Sequence, residues 1–595
     1  MNGDKSVVTK GNIVTQALSS IQYYLNPAEK RGAFGMFIML VLASFLDVFG
    51  LAALVPVIMA ASRPGLIFKN SLATWLYHLL DFQSERSFLI FLVGGLLLFF
   101  LLKNIFSVAV NYQQVRFTAR LALKIISAQI DKHNNLPFWE YMRVGSAHLV
   151  YGTIGIPQAY VNGIIRQIFT FFTEIIVVTV IVIGILLYQP MLFGILVIVL
   201  VPTTLITYRL LRNRSAKIGH RIDALRPVSQ RILTDSFSGF IELKLANKQQ
   251  QFRQELLNNE AEVQDLEATS YLYGQLPVKI IEMVAILAVV TIFIYSLFFA
   301  NNPETLISIV GTFAAAAYRL MPSVNRILVA MMSLKQFQFT YQNLETFRAY
   351  ERLALPPQRA LPFQQSISFC DLSFSFPESD RPVLNSINLE IKKGEKIGLV
   401  GSSGSGKTTL MNLLLRFYTE QQGAILVDGV PLTNENLMTW YKVIGYVKQD
   451  TFLMDTSIKN NITLNDTVVD EERLRYAIDQ ASLQDFISSL PEGVDTPIGE
   501  RGGRLSGGQR QRIGIARALY KRTEILVMDE ATSALDNETE REVNEAISKL
   551  AHTDITIFIV AHRLTTLRDC NRIIELRDGK IIAEHQYQQL ISKTV

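Results

Sequence analysis

The stretch at residues 396–417, KIGLVGSSGSGKTTLMNLLLRF, decides the fold of the C-terminal part of this 595-residue chain. Residues 396–400 are typical of a buried strand, and residues 410–417 are typical of a helix. Between them lies a loop that matches the pattern GxxxxGK[ST] in the strand-to-helix setting that this pattern requires. The nine loop residues are Gly401, Ser402, Ser403, Gly404, Ser405, Gly406, Lys407, Thr408 and Thr409.

A loop of this kind binds phosphate groups. Its glycines allow the backbone N–H groups and the N-terminus of the following helix to point at phosphate oxygens. Lys407 adds a positive charge at the β- and γ-phosphates, and the hydroxyl group of Thr408 reaches a Mg²⁺ ion. The sequence therefore predicts a site for a nucleoside triphosphate with Mg²⁺.

A second strand carries acidic residues that such a site needs for hydrolysis. Residues 525–529, ILVMD, form an apolar strand that ends in Asp529, and Glu530 follows at once. Asp529 is placed to support the metal ion, whereas Glu530 can polarise the attacking water. The pattern predicts hydrolysis of the nucleotide as well as binding.

A third motif, LSGGQ at residues 505–509, lies between these two strands. Ser506 comes 99 residues after Lys407, and Gln509 comes 20 residues before Asp529. In this order and spacing, the chain resembles the ATP-binding-cassette (ABC) transporter family. The resemblance implies that two cassettes pair head to tail, so that the signature of one closes over the ATP held by Lys407 of the other. The signature residues are Ser506, Gly507, Gly508 and Gln509.

The same resemblance implies roles for four more residues. Gln449 matches the glutamine that contacts metal and water and reports to the membrane domain, and His562 matches the histidine that holds the γ-phosphate. Asp536 ends the SALD loop that crosses the dimer interface. Phe376 stands where the family usually has a tyrosine that stacks on adenine, so the aromatic ring is kept and the hydroxyl group is lost. Taken alone, the glutamine and the histidine would be an ordinary surface residue and a structural histidine.

The composition indicates a membrane protein. Hydrophobic residues make up 49% of the chain and charged residues only 18%, against about 25% charged residues in an ordinary soluble domain. Six apolar runs can each span the bilayer as a helix. This excludes a soluble P-loop machine that acts on DNA, and the net charge of +5 needs no nucleic-acid partner. The runs lie at residues 33–62, 88–115, 167–188, 191–208, 280–300 and 304–330.

Basic residues in the connections predict the orientation. Residues 116–166 carry six Lys and Arg residues and residues 209–279 carry eleven, whereas the connections at 189–190 and 301–303 carry none. Because cytoplasmic connections are rich in these residues, we expect both long connections, both termini and the ATPase domain in the cytoplasm of a multi-pass protein of the cell (inner) membrane. The two long connections are mostly polar and read as stalks that continue the spans.

The sequence thus predicts a polytopic α-helical membrane domain with six transmembrane helices and long cytoplasmic extensions, joined to an α/β P-loop ABC ATPase domain. The predicted parts are an N-terminal cytoplasmic tail with an interfacial helix at residues 1–32, a membrane domain at 33–348, a linker at 349–365 and the ATPase domain at 366–595. Short helices at the tips of the cytoplasmic connections dock on the cassettes in the ABC family. The candidates here lie around residues 136–144 and 221–230.

Six spans before a single cassette resemble an exporter-type half-transporter, whose working unit needs two chains. Because Glu530, His562 and the signature are all intact, a homodimer is the simpler expectation. The function expected is ATP-driven export or flipping of an amphipathic substrate. A lipid, multidrug or peptide exporter is an alternative. An ATP-gated channel or receptor is a second alternative, which the intact hydrolytic residues argue against.

Within the ABC exporters, residues 47–56 and 318–326 are most similar to bacterial lipid-linked oligosaccharide flippases. Lys103 and Arg319 lie near the middle of apolar runs, where a charge is costly unless it faces a cavity or a partner. In a cavity they would attract the phosphate headgroup of a lipid-linked substrate while its tail stays among the membrane lipids. The structural alternatives are that Lys103 snorkels to the interface, or that Arg319 pairs with Asp47 or Glu282.

Overall fold

The computed structural model describes the chain except for residues 1–12, 63–70, 189, 300–302, 352–355, 378, 380, 530–536, 552, 562 and 595. The chain forms two compact units. The first, here called the helical unit, comprises Met1–Leu136 and Tyr141–Leu353. The second, here called the α/β unit, comprises Pro137–Glu140 and Ala354–Val595.

The helical unit contains long helices joined by short ones. Two turns of π-helix, Tyr151–Gly155 and Val161–Ile165, interrupt the stretch between the sixth and eighth helices. The helices run as α1 Ile13–Tyr24, α2 Pro27–Ser62, α3 Ser71–Leu79, α4 Glu85–Asn134, α5 Phe138–Val144, α6 Ser146–Val150, α7 Ile156–Tyr160, α8 Arg166–Tyr188, α9 Pro190–Ser238, α10 Phe240–Leu245, α11 Gln249–Phe299, α12 Pro303–Gln336 and α13 Gln338–Glu345.

Apart from residue 300, which lies outside the described residues, each of the six predicted apolar runs lies within one long helix, namely α2, α4, α8, α9, α11 or α12. In the described part of the chain, three helical stretches are long and apolar enough to cross a membrane: Glu85–Asn134, Ser146–Leu186 and Gln249–Thr291. Helices α4, α9 and α11 have 50, 49 and 51 residues. At 1.5 Å per residue each is about 75 Å long, against a hydrocarbon layer of about 30 Å. These helices therefore continue well beyond the bilayer, as the polar connections predicted.

The short helices at the ends of the long ones agree with one prediction and correct another. Residues 136–144 contain a short helix, α5, as expected. The candidate at 221–230 was wrong, because those residues lie inside the continuous helix α9 and the short helix that follows it is α10. The polar composition of 221–230 reflects ion pairs along the stalk, such as Arg221 with Glu262 at 2.5 Å, and not the end of a helix.

A buried lysine anchors the C-terminal end of the helical unit. Lys132, in the last turn of α4, exposes only 1% of its surface. Its Nζ atom donates to the carbonyl oxygens of Leu344, at 3.2 Å, and Thr346, at 2.8 Å, where α13 ends. Burial lowers the pKa of Lys132 to about 8, although Glu351 and Glu345 act against this. The ammonium group thus satisfies carbonyl groups that the end of α13 leaves without helical partners.

We expect Lys132→Met to lower the free energy of unfolding by about 1–3 kcal/mol, because it leaves the buried carbonyl group of Leu344 and the part-buried one of Thr346 without their donor. The matched control is Lys124→Met on the same helix, since Lys124 forms a half-exposed ion pair with Glu29 and such pairs are worth about 0–1 kcal/mol. Thermal unfolding of the detergent-solubilised protein compares the two variants. Equal melting temperatures for both variants would show that Lys132 does not hold α13.

The α/β unit is built on two sheets. The smaller sheet is antiparallel, with the order β2-β1-β4-β5. The larger sheet has the order β10-β9-β3-β8-β7-β6, and all of its strands are parallel except the edge strand β10. The strands are β1 Ser366–Phe374, β2 Leu384–Lys392, β3 Lys396–Val400, β4 Gln422–Val427, β5 Val430–Pro431, β6 Ile444–Val447, β7 Ile525–Asp529, β8 Thr556–Val560, β9 Arg572–Arg577 and β10 Lys580–His585.

Helices cover the parallel sheet and complete its core. Strands β7 and β8 are apolar almost throughout and buried, as expected for strands with both faces covered. The helices are α14 Lys407–Leu414, α15 Leu437–Val443, α16 Ile458–Thr463, α17 Glu471–Gln480, α18 Gln484–Ser488, α19 Gly507–Tyr520, α20 Asn537–Ala551 and α21 Tyr587–Thr594. The predicted fold class, a long helical membrane domain with an α/β ATPase domain, is confirmed.

Candidate nucleotide-binding site

The parallel sheet gathers the predicted site at one edge. In parallel strands the carboxyl ends lie at the same edge of the sheet, which is where α/β proteins bind their ligands. Strand β8 pairs with both β3 and β7, and its last residue, Val560, lies opposite Leu399 and Asp529. Strand β6 ends beside β7, with Val447 opposite Met528. The segments that follow β3, β6, β7 and β8, which carry the predicted site residues, therefore start side by side.

The phosphate loop follows β3 and leads into α14, which begins at Lys407 with Gly406 as its N-cap. Gly401 has a φ of +150°, and a Cβ atom there would lie 2.2 Å from the carbonyl oxygen of Leu576. Any other residue at this position would push the loop away from β9. The backbone requirement that the motif implies is thus visible in the fold.

The side chains of the loop fit a phosphate ligand. The Nζ atom of Lys407 donates to the carbonyl oxygens of Gly401, at 2.8 Å, and Ser402, at 3.0 Å, so the lysine is folded over its own loop. The hydroxyl oxygen of Ser405 is buried and has no hydrogen-bond partner. A buried polar atom without a partner is costly, and a phosphate oxygen would satisfy it. Thr408 is exposed, whereas Thr409 is buried, so only the first hydroxyl is open to a metal ion.

Asp529 and Gln449 supply oxygen donors from the neighbouring strands. Tyr446 in β6 donates its hydroxyl to Asp529 at 3.4 Å, and burial together with this carboxylate raises the pKa of Tyr446. Gln449 is exposed just beyond β6. Hydroxyl, carboxylate and amide oxygens are the ligands that Mg²⁺ prefers, so Thr408, Asp529 and Gln449 fit the ion.

A residue that the sequence analysis missed holds the Gln449 segment. Gln511, in α19, is buried, and its Nε2 atom donates to the carbonyl oxygens of Lys448, at 3.1 Å, and of Gln449. Its Oε1 atom accepts from the hydroxyl of Thr451 at 3.2 Å. The signature helix is therefore tied to the Gln449 loop through one side chain. The sequence signal was only that Gln511 lies two residues after the motif.

The signature residues begin α19. Ser506 is the N-cap, its Oγ accepts from the backbone N–H of Gln509 at 3.2 Å, and the side chain of Gln509 accepts from the backbone N–H of Ser506 at 2.8 Å. This reciprocal pair is a capping box. A Cβ atom on Gly508 would lie 1.9 Å from Cγ2 of Thr539, so only glycine allows α20 to pack here.

Phe376 lies in an aromatic cluster of the α/β unit. Its ring centroid is 5.4 Å from that of Phe374 and 5.7 Å from that of Tyr418. The segment Pro137–Glu140 belongs to the same unit, and Trp139 stacks on Phe376 at 5.7 Å while Phe138 stacks on Phe417 at 4.9 Å. The tip of the first long connection thus contacts the predicted adenine-stacking residue.

Three predicted site residues, Glu530, Asp536 and His562, lie outside the described residues. Their positions in the chain are bounded closely by described neighbours. Asp529 ends β7, Asn537 begins α20, and Ala561 follows β8. The first and last of these neighbours lie at the carboxyl edge of the parallel sheet.

In the helical unit, the structure gives Lys103 a partner. Its Nζ atom lies 2.5 Å from Oδ1 of Asp47 on α2 and 4.9 Å from the ring centroid of Phe100, and its side chain is only 10% exposed. Glu282 pairs with Lys279 at 2.9 Å. Arg319 lies in α12, and its side chain is outside the described residues.

Comparison with known proteins agrees with this geometry. Residues 384–533 match the ABC transporter family. The chain joins this matching part to a long-helix unit, which is the arrangement of an exporter-type half-transporter of that family.

Three known proteins are similar to the chain over longer stretches. It is 38% identical over 325 residues to an ATP-dependent lipid A-core flippase of Saccharophagus degradans, spanning 54% of this chain and 54% of that protein. It is 29% identical over 503 residues to a protein of the same name from Bordetella avium, spanning 84% of each chain. A bacterial Atm1-family ABC exporter with ATP bound has the same fold, with a TM-score of 0.73, 22% identity and 96% of each chain covered.

Proposed function

We propose that two copies of this chain use ATP to flip an anionic amphipathic lipid with a large polar headgroup across the membrane. The observation that carries the proposal is the presence, in one chain, of a fitted phosphate loop and of apolar helices long enough to cross a bilayer. Two relatives that are named lipid A-core flippases support a lipid substrate. Residues 47–56 and 318–326 are similar to flippases of lipid-linked oligosaccharides. These oligosaccharides are also anionic amphipathic lipids with a large polar headgroup.

The ATP step needs no covalent intermediate with the protein. Lys407 and the loop N–H groups hold the phosphates, Glu530 polarises the attacking water, and His562 holds the γ-phosphate. Thr408, Asp529 and Gln449 would hold Mg²⁺, which when bound neutralises charge on the phosphates. Catalysis is then a matter of position and electrostatics in an in-line attack.

The pairing of two copies is supported by an apolar tip on the helical unit. At the end of α9 and in α10, Phe237 and Leu245 expose 75% and 84% of their surface, and Phe240 and Ile241 are also exposed. A cluster of this kind marks an interaction site. Its proposed occupant is the ATPase unit of the second chain, because the family resemblance places such tips on the cassettes. A homodimer completes each ATP site with the Ser506 of the other copy.

Charges inside the membrane support an anionic headgroup. Asp47 balances most of the charge of Lys103, so this lysine contributes N–H donors more than net charge. The carboxylates of Asp47 and Glu282 each pair with a lysine. Arg319 carries the main attraction for a phosphate group in this proposal, because a guanidinium binds phosphate in a bidentate way.

The test replaces Arg319 with Ala and follows two signals in proteoliposomes: ATPase activity and movement of a fluorescent lipid-linked glycan. We expect translocation to be lost while basal ATPase is retained, since the substitution leaves the nucleotide site intact. The matched control is Lys335→Ala on the same helix, where the lysine bonds Gln338 at 3.2 Å. This control should flip the lipid at the native rate.

Other outcomes count against the proposal. Unchanged flipping by Arg319→Ala would overturn the charge-guided route. Transport of neutral drugs or peptides, without response to any anionic lipid, would favour the general exporter. An ATP-dependent ion current without net transport would favour a channel.

A further inference from the structure

A buried carboxylate contacts two residues that follow His562 in the chain. Glu540, in the first turns of α20, exposes only 7% of its surface. Its Oε1 atom accepts from the hydroxyl of Thr565 at 2.5 Å, and its Oε2 atom pairs with the guanidinium of Arg563. Arg563 directly follows His562 in the chain, and Thr565 lies in the short 3-10 helix Leu564–Leu567. One side chain therefore contacts both of these residues.

The pKa of Glu540 agrees with a charged carboxylate in these contacts. Burial acts to raise the pKa of Glu540, but hydrogen bonds from Thr565 and Arg563, with a further one from Asn544, outweigh it and hold the pKa below its usual value. The carboxylate is thus ionised near neutral pH. A charge-assisted hydrogen bond is shorter and about twice as strong as a neutral one.

Helix α20 is itself firmly supported. Thr539, next to Glu540, packs so closely on Gly508 that a methyl group there would not fit. Glu542 pairs with the buried guanidinium of Arg512 at 2.7 Å. Both supports come from α19, the signature helix. A residue that positions another residue must itself be held in place. The contacts with α19 hold α20, and with it Glu540.

We propose that Glu540 is a positioning residue for His562: through Arg563 and Thr565 it sets the loop that presents the histidine to the γ-phosphate. The inference rests on the proposed nucleotide chemistry and adds a residue outside the motifs that suggested it. Glu540 does not touch ATP in this proposal. It acts on turnover and leaves nucleotide binding to Lys407 and the phosphate loop.

The experiment compares Glu540→Gln with the native full-length protein in detergent and in proteoliposomes. The amide keeps the volume of the side chain and can still accept from Thr565, but it cannot pair with the charge of Arg563. We expect kcat for ATP hydrolysis to fall about tenfold or more, as expected for a misplaced catalytic group, with KM for ATP nearly unchanged. The control is Glu545→Gln on the same helix, where Glu545 forms an exposed pair with Arg541 at 3.6 Å; its kcat should equal that of the native protein.

A double-mutant cycle separates positioning from general support of the fold. If Glu540 acts through Arg563, then Arg563→Gln should reduce kcat similarly, and the double variant should be no worse than either single variant. A loss in the double variant equal to the product of the two single losses would overturn the inference. So would a native kcat in Glu540→Gln, or a fall in kcat matched by an equal loss of ATP binding and melting temperature.

The same measurements distinguish this inference from the proposed function. If the native protein hydrolyses ATP but flips no anionic lipid, the substrate proposal fails while the kcat comparison still decides the role of Glu540. If flipping is found and Glu540→Gln hydrolyses ATP at the native rate, the function stands and the inference falls.

Discussion

Glu530→Gln should reduce ATP turnover by about 10²–10⁴-fold, the contribution typical of a general base, while the protein still binds ATP. Glutamine has nearly the same shape as glutamate, but its amide cannot accept a proton from the attacking water. The phosphate loop, with Lys407 folded over Gly401 and Ser402, is untouched by the change. Phosphate release and binding of a fluorescent ATP analogue measure the two effects separately.

The matched control is Glu524→Gln, just before the amino end of the strand that leads to Glu530. Glu524 pairs with Lys393 at 2.8 Å and is 39% exposed, far from the carboxyl edge where the nucleotide site forms. This control should turn over ATP at the native rate. If Glu530→Gln hydrolyses ATP as fast as the control does, another group is the base.

Lys407→Ala should weaken ATP binding by about tenfold to a hundredfold. A hydrogen bond to a charged group contributes about 1.5–3 kcal/mol, and each 1.4 kcal/mol is a factor of ten in affinity. The loss should appear in Kd itself, in contrast to the effect at Glu530. Lys459→Ala is the control, because Lys459 pairs with Glu471 on the surface of the same unit. Equal affinity for ATP in Lys407→Ala and Lys459→Ala would show that Lys407 does not bind the phosphates.

The Lys407→Ala variant can also test whether two chains form each ATP site together. If each ATP lies between Lys407 of one chain and Ser506 of the other, homodimers of Lys407→Ala and of Ser506→Arg have no intact site. Heterodimers of the two variants have one intact site. Co-expression with two different tags should therefore restore part of the ATPase activity. No recovery in purified heterodimers would contradict the composite site.

Much of the fold was readable from local patterns. Strands β3 and β7 have the bounds that their apolar runs predicted, because a strand buried on both faces is a short, continuous apolar run. The six apolar runs lie in six long helices for a similar reason, since the bilayer sets their minimum length. Strands β5, β6, β9 and β10 were missed. Strands β5 and β6 have only two and four residues, whereas β9 and β10 mix polar and apolar residues. The sheets that stabilise them are formed by distant parts of the chain.

The nucleotide-binding site shows the same difference between local motifs and contacts that form only in the tertiary structure. The phosphate loop, the LSGGQ motif and the acid at the end of β7 each lie within a few consecutive residues, so the sequence by itself determined the class of protein and its ATP chemistry. Only the tertiary structure decided which side chains hold those motifs together. Gln511 with Gln449, Lys103 with Asp47, and Glu540 with Arg563 are pairs separated by 62, 56 and 23 residues.

These contacts carry no sequence pattern, because their energy depends on distances and burial that exist only after the strands have aligned and the helices have packed. The second tip of the helical unit shows the same limit. Residues 221–230 were predicted to be a short helix at the tip of a connection, yet ion pairs with α11 keep them in one continuous helix. Local residue type and spacing determine which motifs a chain has. Packing between distant segments decides where each motif lies and what supports it.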